Sequence, residues 1–304
     1  MSRSAISLQA FLLTVLIATG VSAGMAGWMV TRASVPGIVT PHPASGVFKS
    51  VLPRILETGV IRAGYLAYSP LCVVDPTTRK VSGIFAEALE DIAARAGLRV
   101  EWVEEVGFGS MIEGLNLGRY DIMPCGVAGT PVRARQATFT RPLIYSTMKA
   151  WARPDDTRFA RGLAAIHDPS IVIGGLDGSM AFAVAKADFP ETKTLALPNL
   201  TAESQVLLDV VHKKTDVTLT DPYQVQLFLK QNPGTLVAVG EKPVSLFPDV
   251  MLLPAGDFAF RAFLDAGIEE LTNLGVVERL VQKYSLEPGT FLLLRPPYRT
   301  EVSP

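Results

Sequence analysis

Cysteine and histidine are scarce. Cys72 and Cys125 are the only thiols in 304 residues, and His42, His167 and His212 the only imidazoles. Two cysteines cannot build a disulfide framework. No CxxC pair exists for zinc or thiol redox chemistry, and no HExxH run for a metallohydrolase. No metal or cofactor is expected. An excess of charge of one sign is also lacking. The 28 basic side chains face 29 acidic ones, a formal net charge of -1, which argues against a nucleic-acid partner. Gly174-Gly175-Leu176-Asp177-Gly178 is not GxGxxG and no P-loop run occurs, so phosphate cradling is unsupported. The 25 glycines and 22 prolines are ordinary for this length and exclude fibrous or low-complexity chains. A globular protein long enough for about two domains remains.

The N-terminal segment is the first positive signal. Ser4 to Thr31 carries no charged side chain, with Arg3 before it and Arg32 after it. Phe11 to Ala18 has the length of a signal-peptide apolar core, and Val21-Ser22-Ala23 supplies small residues for cleavage. Ala5 to Val30 is equally long enough to span a bilayer core of ~30 Å. Residues 1–32 are therefore expected as a signal peptide or a membrane anchor helix, which places the body outside the cytoplasmic membrane, soluble or tethered. Residues 33–46, with Pro36, Pro41 and Pro43, read as an extended linker.

Beyond Val51 short apolar runs alternate with helical patterns. Val60 to Tyr65 reads as a strand. Gly83 to Gly97 is an amphipathic helix with Ile84, Ala88, Leu89, Ile92 and Ala96 on one side. Leu98 to Val103 is a second strand, Phe108 to Leu117 a short helix, and Asp121 to Pro124 a third strand. A similar alternation runs from Ile171 to Lys230, and helices close the series at 258–274 and up to Tyr284. This order predicts open α/β sheets in two lobes with a cleft between them.

Several segments, in order, resemble the periplasmic solute-binding proteins of amino-acid uptake systems, the bacterial extracellular solute-binding protein family 3. They are Val60-Ile61-Arg62-Ala63-Gly64, Tyr68-Ser69-Pro70-Leu71, Gly83-Ile84-Phe85-Ala86-Glu87, Leu115 to Asp121, Thr130-Pro131-Val132-Arg133-Ala134, Phe139-Thr140 and Pro142 to Tyr145. The resemblance covers about Val60 to Tyr284. It implies a two-lobed fold with an interlobe cleft and a hinge of two crossovers. Lobe one would comprise 47–146 plus 243–290, lobe two 147–242, and 291–304 an irregular tail.

The resemblance also implies roles. Arg133 matches the arginine that grips a ligand's α-carboxylate, a task suited to the planar guanidinium fork. Pro131 fits a helix start, so nearby amides would add to an anion site. Asp221, in Thr220-Asp221-Pro222-Tyr223, matches the aspartate that receives the ammonium. Asp before Pro also reads as a plain helix N-cap. Gly126, Ala128, Thr130, Ser179, Tyr68 and Leu71 fall on the remaining ligand-facing positions, with Phe108 and Met111 lining a side-chain pocket or packing in the core. The pattern departs from the family at Ala128, where a hydroxyl is common, at Met180, at Leu71 in place of an aromatic, and at Phe85 and Glu87 in place of two aspartates. These departures point to a more apolar or differently shaped ligand than a standard amino acid. By resemblance Cys72 and Cys125 lie on cleft-facing loops, paired or simply small and apolar.

The leading expectation is a non-enzymatic binding protein that delivers a small carboxylate-bearing, amino-acid-like solute to ABC permease subunits or a sensor, with no nucleic-acid partner. Membrane association would run through the N-terminal helix. One alternative is a dehydratase-type enzyme on the same scaffold, with Glu87, Glu104 and Glu105 as acids by type only. Another is a membrane-anchored helper protein with an eroded ligand site.

Overall fold

A computed structural model describes residues 49–286 and 290–294. The expected signal or anchor (1–32) and linker (33–46) lie outside the described residues. Helix α1 (Leu52–Thr58) leads into strand β1 (Val60–Tyr65). Hairpin strands β2 (Val73–Val74) and β3 (Val81–Ser82) and helix α2 (Ile84–Arg95) follow, and β4 (Arg99–Glu105) returns parallel to β1. Of the apolar face its spacing predicts for α2, Ile84, Ala88, Leu89 and Ile92 are buried and Phe85 joins them, whereas Ala96 caps the helix end and is exposed. Asp121, fully buried, accepts from the Arg62 backbone at 2.8 Å and pairs with the Arg62 and Arg54 guanidiniums. It thereby ties α1 and β1 to the entry of the next strand.

Helix α3 (Met111–Asn116), strand β5 (Met123–Ala128), the four-residue helix α4 (Pro131–Ala134) and strand β6 (Ala137–Phe139) complete this half. Strand β7 (Ile144–Ala152) then leaves it. A short 3-10 segment (Thr157–His167), kinked at Gly162, precedes β8 (Val172–Leu176), α5 (Met180–Asp188), β9 (Lys193–Leu197), α6 (Glu203–Val211), β10 (Val217–Thr220), α7 (Pro222–Leu229) and β11 (Val237–Ala238). Strand β12 (Ser245–Pro254) returns the chain, followed by α8 (Phe258–Asn273), α9 (Val276–Tyr284) and β13 (Phe291–Leu292).

A mixed sheet orders its strands β5-β12-β7-β10-β8-β9. Strands β7 and β12 are the long ones, and each is divided between neighbours. Residues Ile144 to Met148 of β7 pair antiparallel with β12, and Lys149 to Ala152 pair with β10. Residues Leu252 to Pro254 of β12 pair with β6. The apolar cores segregate accordingly. One gathers Ile61, Phe85, Leu89, Phe260 and Leu264; another gathers Phe159, Ile166, Ile173, Val184 and Val217. Both halves are α/β, as the alternating pattern predicts.

Two expectations change. The stretch from 291, read as an irregular tail, begins with β13, whose Phe291 and Leu292 pair with Ser146 and Tyr145 of β7. Buried Phe291 supplies the apolar anchor that the surrounding prolines obscure. Cys72 and Cys125 form a disulfide with a Cα–Cα distance of 5.3 Å. Both side chains are buried in the core of the first half: Cys72 is on the turn between β1 and β2, whereas Cys125 sits inside β5 rather than on a loop. Among the described residues no helix is long and apolar enough to cross a membrane.

Candidate functional site

A cavity of about 80 Å³ opens between the two halves, where β5, β7 and β12 adjoin. That is several times the ~10–15 Å³ one water needs by the same measure. Most of the residues singled out from sequence meet there.

Arg133 projects from α4. Thr130 caps this helix, its hydroxyl oxygen accepting from the Arg133 backbone N–H at 3.4 Å. That amide is therefore committed to the cap and adds nothing to an anion site. The side chain is buried. Its Nη1 donates to the Ala128 carbonyl at 3.0 Å and its Nη2 to the Gly178 carbonyl at 3.2 Å, across the cleft. Neither bond reaches a carboxylate, and desolvation pulls the guanidinium pKa down to about 10. A buried cation with neutral partners and N–H donors left over is a ready acceptor of an anion.

Asp221 lies on the opposite wall, as the N-cap of α7. One carboxylate oxygen accepts from Gln224 N–H at 3.1 Å and the other from the Tyr68 hydroxyl. Capping and a cavity-facing role coexist in this one side chain. Desolvation raises its pKa, with the Tyr68 and Gln224 bonds opposing. Tyr68 itself is held well above the usual phenol range by burial and by Asp221, so its hydroxyl is a donor. Its ring meets Phe108 edge-on at 5.6 Å.

Ser179 lines the cavity, and its Oγ is buried without a hydrogen-bond partner among the described residues. Gly126 is on the floor with φ +66°, and a Cβ there would lie 2.7 Å from Leu71 and Phe85. Only glycine lets Leu71 close that floor. Ala128, Leu71 and Phe108 line the cavity as expected. Thr130 and Met111 do not: Thr130 serves the α4 cap, and Met111 is buried in the apolar core beside Leu115 and Tyr120. Glu87, Glu104 and Glu105 are also elsewhere, in ion pairs with Lys283, Arg119 and Arg79.

Two acids not anticipated from sequence face the same space. Asp249, in β12, is 3% exposed and pairs in register with Ala128 of β5. Residues opposite each other in an antiparallel pair share a face, so the carboxylate sits beside the small Ala128 side chain. Burial pushes its pKa well up, Ser146 opposes this, and Asp221 adds to it. Glu203, half-buried in the first turn of α6, is raised to about 7 by desolvation, opposed by a Thr220 hydrogen bond and reinforced by Asp221. The sequence signal for Asp249 was a single charge inside the apolar run Leu246 to Leu253. Glu203 carries no such signal, since an acid in a first helical turn is ordinary. Among the described residues no cluster of His, Cys, Asp or Glu is arranged to hold a metal ion.

Comparison with known proteins bears on the fold and the family. A "Probable ABC transporter extracellular-binding protein" of Bacillus subtilis is 28% identical over 186 residues, 59% of this chain and 58% of that protein. The chain thus spans less than two thirds of that relative's length. A "Probable histidine-binding protein" of Campylobacter jejuni is 23% identical over 217 residues, 68% of this chain and 78% of the relative. The crystal structure of the ancestral amino acid-binding protein AncCDT-1, described as a precursor of cyclohexadienyl dehydratase, superposes with a TM-score of 0.67. It is 20% identical and covers 78% of this chain and all of its own. That likeness shows the two-lobed fold. The profile of the bacterial extracellular solute-binding proteins, family 3, matches residues 61–287, and this chain belongs to that family.

Proposed function

We propose that this protein captures a small amino-acid-like solute by its carboxylate and ammonium groups, without chemical turnover, and presents it to an ABC-type permease or a sensor outside the cytoplasmic membrane. One observation carries the reading: buried Arg133 has carbonyl partners only, in a cavity whose other wall bears Asp221. A zwitterion satisfies both walls at once. The unpartnered Ser179 hydroxyl supplies a further contact. The proposed lobes are 47–146 plus 243–290 and 147–242, hinged on β7 and β12, the strands that divide their pairing between the halves. The charge-free stretch 4–31 supports export, whether it is removed or kept as a tether.

The relatives' printed names favour amino acids as the first ligands to test. A thermal-shift screen of the 33–304 chain against amino acids and small carboxylates should identify a stabilising ligand. At a hundredfold excess over Kd the gain is ~2.7 kcal/mol. Calorimetric titration then tests the site. Arg133→Ala should weaken binding roughly ten- to a hundredfold, since a charge-assisted pair is lost. Arg133→Lys should restore only part of it. Asp221→Asn keeps the N-cap, so melting should hold while affinity for an ammonium-bearing ligand falls. Unchanged affinity in Arg133→Ala would remove the central contact.

A second reading, the helper protein with an eroded site, draws on a different observation. Arg133 and Asp221 already have partners across the cleft, Gly178 and Tyr68. On that reading the screen is flat and all three variants match the unmodified protein.

A further inference from the structure

One wall of the cavity comes from beyond residues 61–287, the stretch that the family profile matches. Phe291, in β13, lines the cavity. Backbone pairing fixes its place. Phe291 and Leu292 pair antiparallel with Ser146 and Tyr145 of β7, and on the far side of β7 the same two residues pair with Phe247 and Pro248 of β12. Phe247, Ser146 and Phe291 thus form one row across three strands. Residues opposite each other in antiparallel pairs share a face, and all three line the cavity. The pleat turns the next residue the other way: Leu292 is 41% exposed, Phe291 only 5%.

Ser146 is the small member of the row and stands between two rings. The Phe291 ring has support behind it. It meets the Tyr223 ring with centroids 6.2 Å apart, and both side chains belong to the apolar core of the first half. Tyr223 follows Asp221, the N-cap of α7, by two residues. A ring packed on one side in a core and open on the other to a cavity is a stop, since close-packed interiors do not yield a methylene without cost. With a cavity of about 80 Å³, the position of such a stop decides what fits.

We infer that Phe291 is a specificity-determining residue: a stop, carried onto β7 by the C-terminal strand, that limits the length of the side chain a ligand can bring into the cavity. This rests on the cavity being an amino-acid site.

The test is a straight-chain series titrated against the unmodified protein: L-alanine, L-norvaline, L-norleucine and the homologue two methylenes longer. Each methylene that gains apolar contact tightens binding about fourfold. Affinity should climb along the series and then fall ~tenfold at the member that meets the ring, because overpacking outweighs the gain. Phe291→Leu and Phe291→Ala should move the fall to a longer member, and Phe291→Trp to a shorter one. A ring that only supported the fold would weaken every member by one common factor and leave the fall where it was. Two readouts need no variant, so they decide even if none folds. A climb through the longest member without a fall overturns the inference. So does the absence of nuclear Overhauser contacts between the Phe291 ring and the terminal methyl of the longest tightly bound member. A fall that stays at the same member in folded Phe291→Leu or Phe291→Ala overturns it as well. If chain length changes nothing while Arg133→Ala still weakens binding, the inference falls and the amino-acid reading stands. If no member of the series binds, the inference falls, and the amino-acid reading falls with it when the wider screen is flat too.

Discussion

At the scale of single residues, the cavity is built from groups whose charge is uncomfortable without a ligand. Arg133 is a buried cation beside carbonyls, and Asp221, Asp249 and Glu203 all have pKa values raised chiefly by desolvation. The sign of the consequence for folding is fixed. A carboxyl whose native pKa lies above its unfolded value binds more protons in the native state over the interval between the two. Stability then falls as pH rises through that interval. For Glu203, raised to about 7, the loss runs from about pH 4.5 to 7, and its contribution is fully present only below the lower end. Glu203→Gln should therefore gain stability relative to the unmodified protein as pH climbs from 5 to 8, and differ little at pH 4.5. Urea midpoints measured across that range check this, and a gap that does not vary with pH would count against it. The segments around Arg133, Asp221 and Ser179 marked them in the sequence, and all three line the cavity. Asp249 was not anticipated there, since its place depends on which strand lies opposite, and register is not written in one segment alone.

At the scale of elements, the amphipathic and capped pieces followed from sequence. Helix α2 buries the face its 3.6-residue spacing marks, and α7 starts at Asp221-Pro222 with both the cap and the N1 proline in place. Strands β7 and β12 were not singled out as strands. In β7, Ile144-Tyr145-Ser146-Thr147-Met148-Lys149-Ala150-Trp151-Ala152 has no clean alternation, because its surroundings change along its length: β12 and β13 flank its first part, β10 and β11 its last. A strand serving two halves cannot show one period. The disulfide was likewise open, since 53 residues separate Cys72 from Cys125 and only the fold brings them together. It fastens the turn after β1 to β5, each cysteine being next in sequence to a residue that lines the cavity, Leu71 or Gly126. Closing a loop of that length constrains the unfolded chain by about 2–4 kcal/mol. Changing both cysteines to alanine should lower the guanidinium-extrapolated stability by that amount. A change under 0.5 kcal/mol would mean that the bridge does not form in the native protein. The bond also fits an oxidising compartment.

At the scale of the whole molecule, the proposed function requires the halves to meet around a solute and part again. Their meeting surface is close-packed around glycines at one place. Gly178, between β8 and α5, has φ +72°, and a Cβ added there would lie 2.7 Å from the backbone N and Cα of Gly109. A Cβ on Gly107 would lie 2.3 Å from the Asn199 amide oxygen. The segment holding Gly107 and Gly109 thus abuts the Gly178 backbone and Asn199 of the other half, beside the Arg133–Gly178 hydrogen bond at 3.2 Å. If β7 and β12 are the hinge, these contacts exist only when the cleft is shut, and a methyl group at either glycine wedges it open. Gly178→Ala also carries left-handed backbone strain of about 1 kcal/mol in any state of the cleft. Gly107→Ala has no such penalty, since its φ lies outside the left-handed region, and it is separate from the Arg133 contact. Both variants should weaken ligand binding, while ligand-free melting changes little for Gly107→Ala. Small-angle scattering with saturating ligand should show the unmodified protein contracting and both variants remaining expanded. If Gly107→Ala contracts normally and binds normally, the seam is an ordinary loop contact, and closure must be limited by the hinge strands instead.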